Sequence, residues 1–583
     1  MKRLRWLALV GVFAMIVAAC SPSDGDASST TAGPGATTTE APSGPSTTGE
    51  APMDFEGLTL ASGGCGSELG YNDAEGEPAT YGGKIDQIVA VDEFTVQFDL
   101  CSPDPAFLAK MAFSVFGIQP EEHLQATGGA PIDNPIGTGP YSLVEWVRGD
   151  QVVYEAFPDY YGPQPTHQTA VLRWATEGAQ RLLELQSGNV DGITFPSTDD
   201  YPVIGEDPNL SLINKPEPNI FYVGFTNTFA PFDNPMVRRA IAIGIDRQRI
   251  VDTFYPPGSE VASHFTPCTV ENGCEGDSWY EFDVEAAQQL LADAGFPDGF
   301  ETTIAYRDVF RGYLPEPGAV ANDIAAQLAE NLNINATVEV IESGEFIQTT
   351  TQGEYPGIHL LGWTGDYPHI TNFLDFHFNA NNPQFGVNDA SYADPLSEAS
   401  KQAEADPALY AAANNAIKDF VPMIPIVHGA TAYAFAADVN GAYAPPWGDV
   451  DFNLMDNGTD TFVFMQGNEP ISLYCADESD GESLRACAQV VEGLYSYGPD
   501  GEVETQLAEE CVPNEDLSSW TCTLKQGVKF HDGSDFDAND VVATFTAGLD
   551  AASELHVGNS GAFDYYAYLW DSLIRPPEPA PEG

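Results

Sequence analysis

Residues 319–341 read AVANDIAAQLAENLNINATVEVI. The stretch 319–332 predicts a helix and ATVEVI (336–341) a strand, so an amphipathic period gives way to an extended one. The same alternation continues on both sides. Asp283 is a good N-cap for a helix carrying Ala287, Leu290 and Leu291 and stopping at Gly295. Asn234-Pro235 opens another, with Val237, Ala240, Ile241 and Ile245 at helical spacing. GAQRLLELQSGNVDGI (178–193) predicts a helix ending at Gly188, then a short strand. Phe94, Val96, Phe98 and Leu100 alternate in residues 85–100, which predict one strand; 134–162 predict a Gly-Thr-Gly-Pro turn, then a hairpin around Arg148-Gly149-Asp150. Toward the end, TFVFMQ (461–466) predicts a strand, 482–495 a helix, and 505–524 a hairpin. Strands alternating with helices make this an α/β chain of open sheets.

The chain has 583 residues, too many for one ordinary domain core, and 43% are hydrophobic. Its 21 Lys+Arg stand against 87 Asp+Glu, a net charge of −66. Nucleic acid and anionic lipid surfaces would repel it, so neither is expected as a partner. A solvated acidic surface is the simplest account of the charge.

Lys2, Arg3 and Arg5 precede an apolar run from Trp6 to Ala19, shorter than a membrane span, which ends in Val17-Ala18-Ala19-Cys20. This predicts a lipoprotein signal peptide over 1–19, with lipid carried on Cys20; an ordinary signal peptide with a chance cysteine is the alternative. Residues 20–53, rich in Ser, Thr, Gly and Pro, predict a flexible tether. The chain is therefore expected outside the cytoplasm, held to the membrane by its lipid. Setting Cys20 aside leaves eight of the nine cysteines, an even number suited to disulfides there. Proximity pairs Cys268 with Cys274, Cys511 with Cys522 across a hairpin, and Cys475 with Cys487, leaving Cys65 and Cys101. Spacing does not fix these pairings, and a metal site is the alternative. No CxxC and no histidine spacing favours it, so neither metal nor cofactor is expected.

Several segments together resemble the extracytoplasmic solute-binding proteins of ABC importers, family 5, which take dipeptides, oligopeptides or nickel. They are EPISL (469–473), VVEGLYSYGPDGEVETQLAEE (490–510), TCTLKQGVKFHDGSDFDANDVVATF (521–545), GTGPYSLVEW (137–146), ELQSGNVDG (184–192), PFDNPMVRRAIAIGIDRQRIV (231–251), LLADAGFPDGF (290–300) and GWTGDYPHITNFL (362–374). The order is unusual: in the family the EPISL-to-VVATF stretch comes first, whereas here it comes last, so the chain resembles a circular permutant. The resemblance implies a two-lobed periplasmic-binding-protein (Venus flytrap) fold with an extra subdomain. Lobe I would hold residues 80–228 and 461–575 with return strands and link over 429–460, lobe II residues 229–428, and 576–583 a disordered tail.

In peptide-binding relatives the residue matching Asp366 pairs with the ligand's α-ammonium. A carboxylate in a closing cleft makes a strong charge-assisted bond. A turn-forming Gly-Asp that caps a helix is the plainer alternative. His369 stands where the family often has Asp. Gly362 and Thr364 match positions whose backbone pairs with an extended peptide, and Ser479-Asp480-Gly481-Glu482 resembles the facing strand, a surface loop being its alternative. Trp363 and Tyr367 are candidate pocket walls, or plain core. Arg307 and Arg311 are candidates for the ligand carboxylate, and Arg238 and Arg239 resemble structural residues of the family. The expected function is a monomeric, non-enzymatic receptor delivering peptides to an ABC permease. A receptor for a nickel complex or oligosaccharide, a non-transport surface lipoprotein and a hydrolase are the alternatives; no G-x-S-x-G, HExxH or P-loop is present.

Overall fold

A computed structural model describes residues 55–72, 77–216, 218–309, 311–379, 382–402 and 406–577. The leader, Cys20 and the tether lie outside these residues, as does the tail from residue 578. No helix among the described residues is long and apolar enough to cross a membrane.

Three sheets organise the chain. A five-stranded antiparallel sheet runs Thr59–Ala61, Ile85–Asp92, Thr95–Leu100, Ser519–Leu524, Ala508–Pro513. A seven-stranded mixed sheet runs Leu210–Lys215, Thr431–Ala436, Gly192–Thr194, Thr461–Gln466, Thr169–Trp174, Gln151–Ala156, Tyr141–Val147. A six-stranded mixed sheet runs Glu260–Val261, Met423–His428, Asn219–Phe225, Ile358–Thr364, Glu301–Tyr306, Asn335–Val340. The first two sheets contribute to one hydrophobic core, from Leu60 to Leu172 and from Tyr433 to Ile574; a second core, from Ile220 to Val427, fills the space around the third sheet.

The chain passes between the seven- and six-stranded sheets at two neighbouring places. Leu210–Lys215 leads into Asn219–Phe225, and Met423–His428 leads into Thr431–Ala436. The crossings are tied together. The Asn219 amide donates to the Gly429 carbonyl (2.9 Å) and accepts from the Gly429 N–H (2.8 Å).

Local signals in the sequence explain most elements. Asn234 and Asp283 cap Pro235–Gly244 and Val284–Asp293 through their side chains. The helix Pro317–Leu332 and the strand Asn335–Val340 follow the pattern of the decisive stretch. Two expectations need correction. Residues 85–100 form a hairpin, not one strand, turning at Asp92, whose carboxylate accepts the Phe94 N–H (3.0 Å). The helix expected over 482–495 stops at Cys487. Beyond it Val490, Val491 and Leu494 stay buried without helical structure, and the Gly139 N–H donates to the Val490 carbonyl (2.9 Å). The eight cysteines form four disulfides, Cys65–Cys101, Cys268–Cys274, Cys475–Cys487 and Cys511–Cys522, the last between directly facing strand residues.

Buried charge holds the second core together. The Arg238 guanidinium, 2% exposed, donates to the carbonyls of Val421, Phe232 and Phe420 at 2.6–2.7 Å. Arg238→Ala orphans these carbonyls and is expected to lower the unfolding free energy by about 2–5 kcal/mol. Urea unfolding measures this, and a change within about 0.5 kcal/mol would contradict the assignment.

Two groups of buried titratable side chains oppose each other. Burial raises Asp451 and Glu492 to about 7 and Asp540 to about 8. Burial lowers His359 to about 3, and His369, His377, His428 and His531 to about 4. As pH falls from about 8, the fold takes up protons on these acids before the unfolded chain does, so stability rises. Below about 6.5 the unfolded chain protonates its histidines while the fold does not, so stability falls. The urea midpoint is therefore expected to peak near pH ~6, between lower values at ~8 and ~4.5. A midpoint that climbs steadily from pH ~4.5 to ~8 would contradict this balance.

Candidate functional site

The strand Ile358–Thr364 is hydrogen-bonded along its length to Asn219–Phe225 on one side. On the other side, Glu301–Tyr306 pairs only with Ile358 and His359. Among the described residues, the stretch Leu360–Thr364 therefore has no strand partner on that edge, which borders a cleft. Gly362 is required there by packing: a Cβ would lie 2.3 Å from the Tyr313 ring and 2.4 Å from the Ile220 carbonyl oxygen.

After Thr364 the chain turns at Gly365-Asp366, and the Asn372 amide shapes the turn. Its Oδ1 accepts from the Asp366 N–H (2.9 Å) and the Trp363 indole N–H (3.2 Å), and its Nδ2 donates to Asp366 Oδ2 (3.1 Å). Asp366 Oδ1 accepts from the Tyr565 hydroxyl (3.2 Å), which comes from the C-terminal part of the chain. Desolvation pushes the Asp366 carboxyl up to about 6, and the donors from Asn372 and Tyr565 partly offset it. Among the described residues, Asp366 forms no ion pair. It is not the cap of the helical turn Ile370–Asn372, which His369 caps through its side chain.

Asp366, Arg311, Thr364, Ser479 and Tyr565 are shared by two adjoining chambers of about 480 and 620 Å³. The first also takes Gly362, Trp363 and Arg307, and is walled by aromatic rings: Trp363 stacks on Phe376 (4.5 Å), and Tyr568 lies against both. Gly481, Asp480 and Glu482 line the second. The segment 479–482 contributes no strand: Asp480 caps the helix Gly481–Cys487, accepting the Ser483 N–H (2.9 Å). Arg307 donates to the Ser343 and Tyr313 hydroxyls (3.2 and 3.3 Å), both neutral.

Tyr367 does not line these chambers. Its ring is buried beneath Lys110 (5.5 Å) and borders a different cavity, of about 660 Å³, with Lys84, Asp104 and Asp571. Arg238 and Arg239 lie outside the cleft, Arg239 pairing with Asp419 and the Tyr280 hydroxyl. The sequence reading missed Tyr313, Asn372, Phe376, Tyr565 and Tyr568. One available signal was FDYYAYLW (563–570), in which Tyr565 and Tyr568, three apart, share a face of a helical turn.

The chain matches the family described as "Bacterial extracellular solute-binding proteins, family 5 Middle" over residues 44–385 and 502–563. It is 27% identical over 380 residues to the dipeptide-binding protein of Escherichia coli (strain K12), covering 63% of this chain and 71% of that one. The structure of HbpA2 from Haemophilus parasuis superposes with a TM-score of 0.59 at 28% identity, covering 64% of this chain and 76% of the other. A dipeptide binding protein from Pseudoalteromonas sp. SM9913, solved in complex with Met-Leu, gives 0.53 at 25% identity, covering 64% and 75%. With a two-lobed α/β architecture enclosing a cleft and no enzymatic role, this chain belongs to the family 5 bacterial extracellular solute-binding proteins.

Proposed function

We propose that this chain captures peptides and delivers them to an ABC permease, with Asp366 binding the ligand's α-ammonium. The observation that carries this is a carboxylate raised by desolvation, without a cationic partner among the described residues, at the junction of two chambers. A ligand ammonium supplies the missing cation, and a charge-assisted bond made away from water is strong. The open edge Leu360–Thr364 offers main-chain groups to an extended peptide, which recognises backbone and is indifferent to side chains. Arg307, which donates to the Ser343 and Tyr313 hydroxyls, and Arg311, which lines both chambers, are the candidate cations for a ligand carboxylate. Similar proteins named for dipeptides support the same ligand class.

The finer reading has three further parts. The Val-Ala-Ala-Cys motif supports a lipid anchor on Cys20, which would hold the receptor beside its permease. Lobe I would comprise 80–228, 429–460 and 461–575, and lobe II 229–428, in a circularly permuted order. What supports that order is the strand Thr461–Gln466, which pairs in parallel with Thr169–Trp174 on one side and Gly192–Thr194 on the other. Permutation is mild when the cut falls in an exposed connection.

Native mass spectrometry of the gently purified protein should reveal a bound mass that fragments into amino acids. Asp366→Ala leaves the ligand ammonium unpaired, a loss of about 3–5 kcal/mol, so binding should weaken by about 10²–10⁴-fold. A protein that binds no member of a peptide library would overturn the peptide reading.

A further inference from the structure

The Asp366 carboxylate is gripped from two sides by groups of different origin. Asn372, which belongs with the second core, donates to Oδ2 (3.1 Å), and Tyr565, which packs with the first, donates to Oδ1 (3.2 Å). Tyr565 is itself held. Its ring meets Phe113 edge-on (4.8 Å). The loop before it is pinned by the buried Asp477, which accepts the N–H groups of Gly561 (2.9 Å) and Phe563 (2.8 Å). A second hydroxyl, Tyr497, reaches the same turn but meets main chain, lying 2.8 Å from the Ala109 carbonyl oxygen and 3.4 Å from that of Asp366.

We infer that Tyr565 is a positioning residue for ligand capture: from the first core it aims the Asp366 carboxylate at the ligand amine, so that the anchor is complete only where the two cores meet. The inference rests on reading Asp366 as the amine anchor. A carboxylate has about four acceptor sites. Two neutral donors on different oxygens leave room for an ammonium and fix the plane in which it is received.

Removing one donor has a signature that loss of packing does not. The Tyr565 hydroxyl favours the ionised form of Asp366, so its deletion should raise the pH at which Asp366 takes up a proton. Other charged groups also line the cleft, among them Arg307, Arg311, Lys215, Asp449 and Arg485. Burial keeps His369 and His377 near 4, and pushes the phenols of Tyr497 and Tyr568 upward. Asp564 lines the first chamber, and Glu482, also raised by burial, lines the second. Neither is hydrogen-bonded to Asp366 or Tyr565.

The test is calorimetric binding of tri-alanine between pH ~5.5 and ~8.5 to the wild type and to Tyr565→Phe, Tyr497→Phe and Asp366→Asn, with folding followed by circular dichroism. The same chains, without peptide, are followed by carboxyl ¹³C NMR, with Asp366→Asn identifying the resonance. Wild-type binding should weaken as pH drops through about 6. In Tyr565→Phe that midpoint and the resonance should both move up by about one unit, with about twofold weaker binding at pH ~7 and about tenfold weaker at pH ~5.5. Tyr497→Phe should leave the midpoint in place. An unmoved midpoint and resonance in Tyr565→Phe would overturn the inference. Failure of the wild type to bind tri-alanine, with the resonance still moving in Tyr565→Phe, would count against the peptide reading while supporting the role of Tyr565.

Discussion

The reciprocal amide contact between Asn219 and Gly429 is the constraint on which the rest of the architecture depends. Two chain crossings join the sheets, and this contact holds them side by side. Two cores linked by one strand would be free to rotate in several directions, whereas two linked by a tied pair of strands share one bending line. Away from the crossings, Asp366 meets Tyr565 and Phe376 meets Tyr568 across the cleft.

Within that frame the Asp366 turn is built by neutral donors. A single amide, Asn372, orders the indole of Trp363, the backbone at 366 and the carboxylate beyond it. A cation placed there by the protein would neutralise Asp366. Amides and hydroxyls orient the charge without cancelling it, so the desolvation that raises its proton affinity is only partly offset. The net charge of −66 is compatible with this design, because the lysines and arginines are few and many are already engaged. Lys110 pairs with Asp104, Arg485 with Asp449, and Arg238 with backbone carbonyls.

Much of this was legible in the chain because the signals were local. Asn234, Asp283 and Gly188 mark helix boundaries by capping and left-handed geometry, and Arg148-Gly149-Asp150 marks a hairpin. The errors arose where tertiary structure overrode the local pattern. Val490, Val491 and Leu494 look like a helix face, but the backbone at Val490 packs on the Gly137–Gly139 turn, where a Cβ on Gly137 or Gly139 would lie 2.1 or 2.7 Å from the Val490 carbonyl oxygen. The turn at Asp92 carries no glycine or proline and relies on a carboxylate contact. In the site, the GWTGDYPHITNFL segment contained Asp366 and the amide that holds it, which are close in sequence. Tyr565 was not legible, because nothing local connects it to a residue nearly two hundred positions earlier. Tyr367 was placed in the cleft by its neighbour, yet adjacent residues in a turn face opposite ways, and it packs toward Lys110.

The position of Thr461–Gln466 has a further consequence for how the molecule is made. It stands in the interior of the seven-stranded sheet, flanked by strands synthesised more than 260 residues before it. Until it emerges, Thr169–Trp174 and Gly192–Thr194 have unpaired edges, and their shared core lacks Phe462 and Phe464. The six-stranded sheet has no such debt to the C-terminus, since its strands all lie between residues 219 and 428. Assembly is therefore ordered from the middle outward: the second core is able to condense first, while the first waits on the last fifth of the chain with sheet edges open to wrong partners.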